Sequence, residues 1–557
     1  RHGLPLRRRT LDRRRARLHP RRRRDGLTST PTSARLGPMN QPSIERGADD
    51  QTFHDVIEAY CGALSYAPGE TATVHVSTHA AAYDVVVERW GGERTIAWAA
   101  NTVPGTFHKP PADADANGCG WPTAIEIPID ESWRSGFHLI TLRAHDGPDG
   151  RRVAHTGFVV RAGAQRQSAV LVLATNTWNA YNTWGGKSLY TGGHQVSFRR
   201  PWARGMLDRP EVERDDRKSR PVHTGEEPDD GGFIFQEYRL PRNYPSAIGS
   251  TGWFTHARRF VEWAERDGRS FDLLASTDLD LHPDCLDGYD LVLGVGHDEY
   301  WSAGQRTAIE THVRRGGHYA SFSGNTMFWQ VRITDGDRGT AMIGHKYAAH
   351  RDDPVVGTDD EASMSGMWAD PLVGRPEWSF LGAGSAFGLY ARFGSGTPRG
   401  VGGFVVYRSD HWLFEGTGLG YGDVLGLDAG IVGYETVGCP IQLDDVNLPV
   451  PRTRDDLPAE QEIVAWTPST NLGMGDYPKS VAAFGDQGDL EFVADRVFAD
   501  TADPIGSARH GNAVMSVARP FDNGGEVVVC GSTDWVFGLG DPRVARVTAN
   551  VLDRYLD

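Results

Sequence analysis

The chain has 557 residues, of which 39% are hydrophobic and 24% are charged, and its formal net charge at pH 7 is −15. This length allows two or three domains with sizeable cores. The acidic balance disfavours binding to nucleic-acid phosphates, and because no apolar run is long enough to span a bilayer, a membrane partner is not expected either.

The first 38 residues differ in composition from the rest, because they contain 13 arginines and only two acidic residues, Asp12 and Asp25. They offer almost no apolar surface, and the apolar core of a twin-arginine export signal is missing after the arginines. We therefore expect residues 1–50 to be disordered, with Met39 as a candidate natural start, and the protein to be cytoplasmic. The five cysteines form no CxxC pair and predict neither a zinc finger nor a disulfide framework.

Residues 51–165 predict an antiparallel β-sandwich domain. Short runs of alternating apolar and polar residues follow one another, separated by turn signals such as Pro68–Gly69. The runs are Thr73–Ser77, Tyr83–Glu88, Ala124–Ile129, Phe137–Arg143 and Gly157–Val160. No group of chemically reactive side chains stands out among them. We therefore predict a packing or oligomerisation role for this domain and expect a homo-oligomer.

Residues 166–557 predict an α/β catalytic domain with an open, mostly parallel sheet, like that of the glutamine amidotransferases. The first strand, Ala169–Ala174, is apolar throughout, and a predicted helix at Trp253–Asp267 precedes a strand at Phe271–Ala275. Between them, the polar segment at about 183–250 is too long for a simple connection and predicts a lid or a disordered loop.

Polar side chains follow three predicted strands of this domain. The segment Leu291–Trp301 (LVLGVGHDEYW) leads an apolar strand directly into His297 and Glu299. The next strand along the chain ends just before Asn325, and the first strand of the domain leads to Tyr181. Because open α/β sheets bind their ligands outside the carboxyl ends of the strands, we expect these residues to share one edge of the sheet.

The residue types at this edge suit a metal ion, although they do not establish one. Phenol, carboxylate and imidazole groups together are ligands for a hard, highly charged ion, and phenolate oxygen favours ferric iron. Tyr181, His297 and Glu299 are the candidates. A second possible metal site is a D-x-D-x-H run suited to magnesium, manganese or zinc, which is formed by Asp278, Asp280 and His282.

Two alternatives need no metal. A thiol hydrolase of the glutamine-amidotransferase type would carry its cysteine on a sharp strand-to-helix turn, but Cys285 falls in a predicted loop, which disfavours this alternative. A carbohydrate-binding protein without catalytic activity is suggested by the 16 tryptophans together with the predicted sandwich.

Several blocks of sequence occur in a characteristic order along the chain. They are Thr177–Tyr190 (TWNAYNTWGGKSLY), Gly296–Ser302 (GHDEYWS), Ser323–Trp329 (SGNTMFW), Phe414–Asp423 (FEGTGLGYGD) with Gly433–Glu435 (GYE), and Gly531–Gly538 (GSTDWVFG). Together they resemble the large, or beta, subunit of N,N-dimethylformamidase and its relatives, from about residue 55 to the end of the chain. The resemblance implies a hydrolase of linear amides similar to N,N-dimethylformamide, and it raises a separate small subunit as a candidate partner.

The resemblance also implies a set of iron ligands. In that family one iron ion is bound by two tyrosines and by a glutamate that lies two residues after a histidine. The glutamate corresponds to Glu299 and the first tyrosine to Tyr181. We place the second tyrosine at Tyr238, with Tyr190 and Tyr244 as alternatives, because the loop lengths differ here.

Three further residues receive catalytic roles through the same resemblance. The active-site asparagine and second glutamate of the family correspond to Asn325 and Glu435. Glu435 is expected to act as a general base towards a water activated by ferric iron, without redox chemistry. Asn325 and His297 are expected to orient the amide or to donate hydrogen bonds to the tetrahedral oxyanion.

Overall fold

The computed structural model describes part of the chain, namely residues 56–148, 150–210, 244–245, 248–388, 402–432, 435–471 and 488–556. The Arg-rich head predicted at residues 1–50 and the predicted ligand Tyr238 lie outside these ranges. All described residues belong to one compact unit, Glu45–Asp557.

The strands before residue 165 form two sheets that pack against each other. They are β1 (Ile57–Cys61), β2 (Ser65–Tyr66), β3 (Thr71–Thr78), β4 (Ala82–Trp90), β5 (Arg94–Pro104), β6 (Thr123–Pro128), β7 (Gly136–Ala144) and β8 (Val153–Val160). One sheet has the order β1-β3-β6 and the other the order β2-β8-β7-β4-β5. Neighbouring strands run antiparallel, apart from the short pair β2 and β8. Alternate residues such as Val74, Val85 and Ile140 enter one shared apolar core, as the sequence pattern predicts.

The strands after residue 165 form a larger sheet and two smaller ones. They are β9 (Ala169–Leu173), β10 (Gln195–Ser197), β11 (Asp272–Ala275), β12 (Leu291–His297), β13 (Tyr300–Ser302), β14 (His318–Gly324), β15 (Trp329–Gly336), β16 (Gly339–Ile343), β17 (Phe404–Val406), β18 (Val424–Leu425), β19 (Ile441–Leu443), β20 (Pro449–Pro451), β21 (Glu460–Thr470), β22 (His510–Arg519) and β23 (Val527–Cys530). The large sheet has nine strands in the order β11-β9-β12-β14-β23-β22-β21-β17-β18. The smaller sheets are β10-β16-β15-β13 and β19-β20.

The large sheet is mixed, so the predicted mostly parallel sheet is correct for only part of it. Strands β11, β9, β12, β14 and β23 are parallel to their neighbours in this group. Strands β22, β21, β17 and β18 extend the sheet in antiparallel pairs. The connection between β22 and β23 covers only residues 520–526. A parallel pair needs a crossover of about a dozen residues or more, whereas a connection this short joins antiparallel strands.

Helices cover both faces of the large sheet. The α-helices are Ala114–Asn117, Thr175–Tyr181, Arg258–Arg266, Asp278–Leu281, Ala303–Arg314, Ala349–Asp352, Trp378–Leu381, Asp489–Val497, Pro504–Arg509 and Pro542–Leu556. Two of them, Arg258–Arg266 and Pro542–Leu556, pack on the face that carries Leu293, and Ala303–Arg314 packs on the face that carries Val292. Short 3-10 helices lie at Lys346–Ala348, Glu361–Ser363, Ser385–Phe387, Trp412–Phe414 and Thr533–Gly538. Within the described ranges, no helix is both long and apolar enough to cross a membrane.

The predicted helix at Trp253–Asp267 is present but has two parts. It begins as a π-helix, Trp253–Ala257, and continues as the α-helix Arg258–Arg266. This helix also joins the first two sheets to the rest of the protein. Arg89 at the end of β4 forms an ion pair with Glu265 at 2.5 Å, and the indole nitrogen of Trp90 donates a hydrogen bond of 2.9 Å to Glu262.

Candidate functional site

His297 is the last residue of β12, and its imidazole lies between a backbone carbonyl and two carboxylates. Its Nδ1 is 2.9 Å from the carbonyl oxygen of Ser250, which can only accept, so Nδ1 carries a proton. Its Nε2 lies 2.5 Å from Glu435 and 3.3 Å from Glu299. Burial by itself lowers the pKa of His297, but the charges and hydrogen bonds of Glu435 and Glu299 outweigh burial and raise this pKa to about 10. The imidazolium therefore links the two carboxylates.

Besides His297, three side chains donate hydrogen bonds to the buried carboxylate of Glu299. The Tyr181 hydroxyl is 3.0 Å from one carboxylate oxygen, and the Tyr190 hydroxyl is 2.8 Å from both. The indole nitrogen of Trp329 is 2.8 Å from the other oxygen. Although burial raises the pKa of Glu299, the hydrogen bond and charge of His297, followed by the nearby charge of a lysine, lower it below its usual value. Glu299 is therefore an ionised acceptor at the centre of the site.

The two tyrosines come together because the chain turns back after a short helix. Tyr181 ends the helix Thr175–Tyr181, which follows β9 directly and so carries Tyr181 to the carboxyl edge of the sheet. The amide of Leu189 then donates a 3.1 Å hydrogen bond to the carbonyl of Ala180. This bond returns the loop to the helix, and the Tyr181 and Tyr190 rings lie 4.2 Å apart between centroids.

The helix that ends at Tyr181 is also tied to the segment that follows β12. The hydroxyl of Thr177 accepts hydrogen bonds from the backbone amides of Glu299 and Tyr300, at 3.0 and 3.2 Å. The sequence places Thr177 at the start of a resemblance block but gives no indication of this link. These two hydrogen bonds fix the position of the Glu299 backbone relative to the helix that carries Tyr181.

The backbone of Glu435 approaches the end of β14 at Gly324, directly before Asn325. The residue before Asn325, Gly324, has no room for a side chain, because a Cβ there would overlap the backbone carbonyl of Glu435 and the backbone amide of Thr533. Asn325 itself has a φ of 50°, a left-handed conformation that asparagine tolerates better than most residues. Its side chain is buried, and its Oδ1 has no hydrogen-bond partner within the described part of the chain. The amide oxygen of Asn325 is therefore available to a bound molecule.

A lysine that the sequence analysis did not single out also faces this site. The ammonium of Lys346 lies 3.1 Å from the centroid of the Tyr190 ring, and only 3% of the residue is exposed. Its backbone φ is 55°, which is strained for a residue with a side chain. The sequence around it, HKYAAH, carries no motif that marks it, because its role depends on rings from distant parts of the chain.

The structure brings together four of the residues predicted from the sequence: Tyr181, His297, Glu299 and Glu435. Of the three candidates for the second tyrosine, Tyr190 contacts Glu299, and Tyr238 lies outside the described residues. Tyr244 is buried beside Gly205. Among the described residues, Tyr190 is thus the second tyrosine that contacts Glu299, and the preferred assignment to Tyr238 stays a prediction.

The predicted D-x-D-x-H metal site does not form. Its residues belong to the short helix Asp278–Leu281 and its C-cap rather than to one side of a strand. His282 lies 4.0 Å from Asp278, but Asp278 and Asp280 contact different parts of the protein. Asp278 accepts hydrogen bonds from Ser65 and lies 3.5 Å from Arg161. Asp280 accepts hydrogen bonds from Ser302 at 2.7 and 2.8 Å. Without a tyrosine ligand, no three His, Cys, Asp or Glu residues in the described ranges are grouped so that they could hold a metal ion.

The two metal-free alternatives also lose support. Burial raises the pKa of Cys285 to about 12, so its thiol is protonated and a poor nucleophile near neutral pH. A carbohydrate platform needs exposed aromatic rings, but several tryptophans are fully buried. These are Trp184, Trp253, Trp301, Trp329, Trp368 and Trp535.

The phenol and carboxylate oxygens of the site are spaced as neighbouring ligands of one small cation would be. Oxygen ligands of an octahedral ion such as Mg²⁺ lie about 2.0–2.1 Å from the metal, so that adjacent ones are roughly 2.9 Å apart. Tyr181 and Tyr190 are 3.0 and 2.8 Å from the Glu299 carboxylate. Three oxygens that can carry negative charge therefore converge, a donor set that suits a hard, highly charged ion.

Comparison with known proteins identifies the family. A search of curated proteins finds no match. A family model described as N,N-dimethylformamidase beta subunit-like, C-terminal, matches residues 84–549, which is most of the chain. The chain therefore belongs to the N,N-dimethylformamidase beta subunit-like family, and the prediction made from its sequence blocks is confirmed.

Proposed function

We propose that this protein hydrolyses a small N-substituted amide, similar to N,N-dimethylformamide, to a carboxylic acid and an amine. The observation that carries the proposal is the convergence of two tyrosine hydroxyls on the carboxylate of Glu299, beside the His297 and Glu435 pair. Membership of the family supports the same chemistry.

We assign ferric iron to Tyr181, Tyr190 and Glu299, whose oxygens fit the preference of that ion for phenolate and carboxylate ligands. Iron bound there supplies Lewis-acid chemistry, which polarises an amide oxygen and lowers the pKa of a coordinated water. The resemblance instead favours Tyr238 as the second tyrosine, so Tyr190 and Tyr238 are tested against each other below.

Glu435, His297 and Asn325 transfer the proton and orient the substrate. Glu435 takes a proton from the attacking water and returns it to the departing amine, and its 2.5 Å contact with His297 holds its carboxylate in place. Both N–H groups of His297 point to protein acceptors, namely the Ser250 carbonyl and the two carboxylates. His297 therefore orients Glu435, and its positive charge stabilises the negative charge that develops on the amide oxygen. Asn325 is buried at the end of β14 and orients the amide by donating from its Nδ2 to the amide oxygen, since a fully N-substituted amide has no N–H for Oδ1 to accept.

The fold and the family description support proposals about the core of the protein and about its assembly. The parallel strands with helices on both faces support a glutamine-amidotransferase-like core, and we propose that the sandwich sheets serve packing between copies of the chain. Because the matching family is described as beta subunit-like, we propose that a small subunit joins this chain in the active enzyme.

The test is a metal analysis combined with a substrate screen. The full chain, produced with iron, is assayed for metal content, for a visible phenolate-to-iron absorption band, and for amine release from small N-substituted amides. We expect about one iron per chain, a coloured protein and hydrolysis of at least one amide. A colourless protein that retains a divalent ion, or an iron-loaded protein inactive on every amide with and without a small subunit, would contradict the proposal.

A further inference from the structure

The side chain of Lys346 occupies a cage of aromatic rings at the edge of the site. Its ammonium is 3.1 Å from the centroid of the Tyr190 ring, and the centroids of three further rings lie 5.3–5.7 Å away. These three rings belong to Tyr300, Trp329 and Tyr347. A buried ammonium is costly unless negative charge or electron-rich ring faces compensate for the lost water.

Two of the caging residues also bind Glu299. Tyr190 and Trp329 present their ring faces to Lys346 while their hydroxyl and indole N–H groups donate to the Glu299 carboxylate, each at 2.8 Å. Each of these two side chains therefore contacts the ammonium of Lys346 through its ring face and the carboxylate of Glu299 through its hydroxyl or N–H group. Moving Lys346 would free the Tyr190 ring to shift and would break its alignment with Glu299.

The backbone of Lys346 has a left-handed conformation that is unfavourable for a residue with a side chain. Its φ of 55° is stabilised by a 2.8 Å hydrogen bond from its amide to the carbonyl of Ser365. Ser365 in turn donates through its amide and its hydroxyl to Asp353, at 2.8 and 2.6 Å, and Arg332 pairs with the same carboxylate at 2.8 Å. Such strain persists where surrounding structure fixes it, which is common at functional sites.

We propose that Lys346 is a positioning residue, whose caged ammonium fixes the Tyr190 ring against Glu299 and places a positive charge beside the anionic oxygens that hold the metal. The second part of this inference rests on the proposed function, whereas the first part concerns the protein without metal. Three anionic ligands in a buried site repel one another, and a fixed cation beside them reduces that repulsion.

The first experiment uses metal-free protein and therefore does not depend on iron. Crystal structures of the wild type and of Lys346→Met are compared, because methionine fills the cage with a similar length and no charge. We expect the Tyr190 hydroxyl to leave hydrogen-bonding distance of Glu299 in the variant. A Tyr190 to Glu299 bond retained in Lys346→Met would overturn the positioning role.

The second experiment measures the visible band and the iron affinity of loaded protein. The cation over the ring lowers the energy of the phenolate electrons, so Lys346→Met should move the charge-transfer band to longer wavelength. The Tyr190 phenol loses its proton when it binds iron, and the caged cation stabilises the resulting phenolate. The apparent iron affinity near neutral pH should therefore fall roughly tenfold in Lys346→Met, an effect of the order of one cation–π contact. Lys346→Arg, which keeps the charge, should restore both. Lys187→Met, which changes an exposed lysine in the same loop as Tyr190, is the matched control and should change neither.

The outcomes separate this inference from the proposed function. A wild type without iron or colour contradicts the proposed function, and the metal-free structures still decide the role of Lys346. A coloured wild type whose band is identical in Lys346→Met overturns the charge role. Lys346→Gln serves as a second neutral variant. If both neutral variants fail to fold while Lys346→Arg folds, Lys346 is structural and the proposal is overturned.

Discussion

Glu299 is the residue on which the site depends most, because its carboxylate accepts hydrogen bonds from Tyr181, Tyr190 and Trp329. Glu299→Gln keeps the shape of the side chain and removes its negative charge. We expect iron content to fall close to zero and hydrolysis to disappear, as measured by metal analysis and amine release. Full iron loading of this variant would contradict the ligand assignment.

Glu526→Gln is a matched control for that change. Glu526 accepts a 2.8 Å hydrogen bond from Tyr555 and is paired with Arg519, so it shares the tyrosine contact of Glu299 at a different place. Iron content and activity should remain at wild-type levels in this control, even if its stability decreases.

The second tyrosine ligand can be identified by removing single hydroxyl groups. Because the phenolate is the source of the colour, Tyr181→Phe and Tyr190→Phe should each weaken and shift the visible band of iron-loaded protein. Tyr238→Phe should leave the spectrum unchanged, and so should Tyr83→Phe, which alters a buried tyrosine of the sandwich core. The opposite result for Tyr190 and Tyr238 would return the ligand to the position that the resemblance favours.

Glu435 contacts His297 at 2.5 Å, whereas the hydroxyls of Tyr181 and Tyr190 donate their hydrogen bonds to Glu299. We therefore expect Glu435→Gln to retain iron and its colour, because the ligand oxygens are untouched. Turnover should fall by about two to four orders of magnitude, the usual effect of removing a positioned general base. Iron loss in this variant would make Glu435 a ligand, and near-normal turnover would make it a structural partner of His297.

At the level of elements, the sequence predicts the central strands well, because their signals are local. The apolar run that forms β12 ends at His297 as predicted, and Ser302 caps the following helix by accepting a 2.9 Å hydrogen bond from the amide of Gln305. The antiparallel direction of β21 and β22 was not predicted. Strand direction depends on which neighbours pair, and the residue pattern within a single strand carries little information about that.

The site itself was predictable only in part, for a related reason. His297 and Glu299 stand directly after a strand, and the resemblance supplied Tyr181, Asn325 and Glu435. The contacts of Tyr190 and Lys346 depend on loops that fold back over a long sequence distance, so no spacing or periodicity reveals them. The sequence therefore identified the residues that follow strands closely, gave Tyr190 only as an alternative to Tyr238, and gave no indication of Lys346.

A substitution at Gly324 can show how closely the end of β14 must approach the backbone of Glu435 and Thr533. A Cβ there would overlap backbone atoms of Glu435 and Thr533, which cannot move away as a flexible side chain can. Gly324→Ala should therefore cost about 1–3 kcal/mol, the usual range for overpacking, and should lower activity as well. Gly540→Ala, at a position with open space, should change the free energy of unfolding by less than about 0.5 kcal/mol. Equal unfolding curves for both variants would contradict the close approach.

For the molecule as a whole, charged residues contribute to the contact between the sandwich sheets and the large sheet, beside an apolar core in which Phe137 stacks on Trp253. The ion pair of Arg89 with Glu265 and the bond from Trp90 to Glu262 join β4 to the helix Arg258–Arg266. Although burial raises the pKa of Glu265, the hydrogen bonds from Arg89 and from the amide of Gly92 lower it below its usual value. The junction is therefore expected to weaken in acid.

The sign of this effect follows from the direction of the pKa shift. Because the folded-state pKa of Glu265 lies below its unfolded value of about 4.3, the ionised carboxylate stabilises the folded protein above that pH. This contribution is lost as the pH falls through the folded-state pKa. Glu265→Gln should thus lower the free energy of unfolding by about 1 kcal/mol at pH 7, since the pair is partly exposed to solvent. Urea unfolding should show that this difference in the free energy of unfolding becomes smaller between pH 5 and pH 3.

Glu93→Gln, a change of an exposed residue near the same junction, is the control and should leave the free energy of unfolding unchanged at both pH values. If the difference between wild type and Glu265→Gln stays constant or grows in acid, the ionised pair does not stabilise the contact between the sheets.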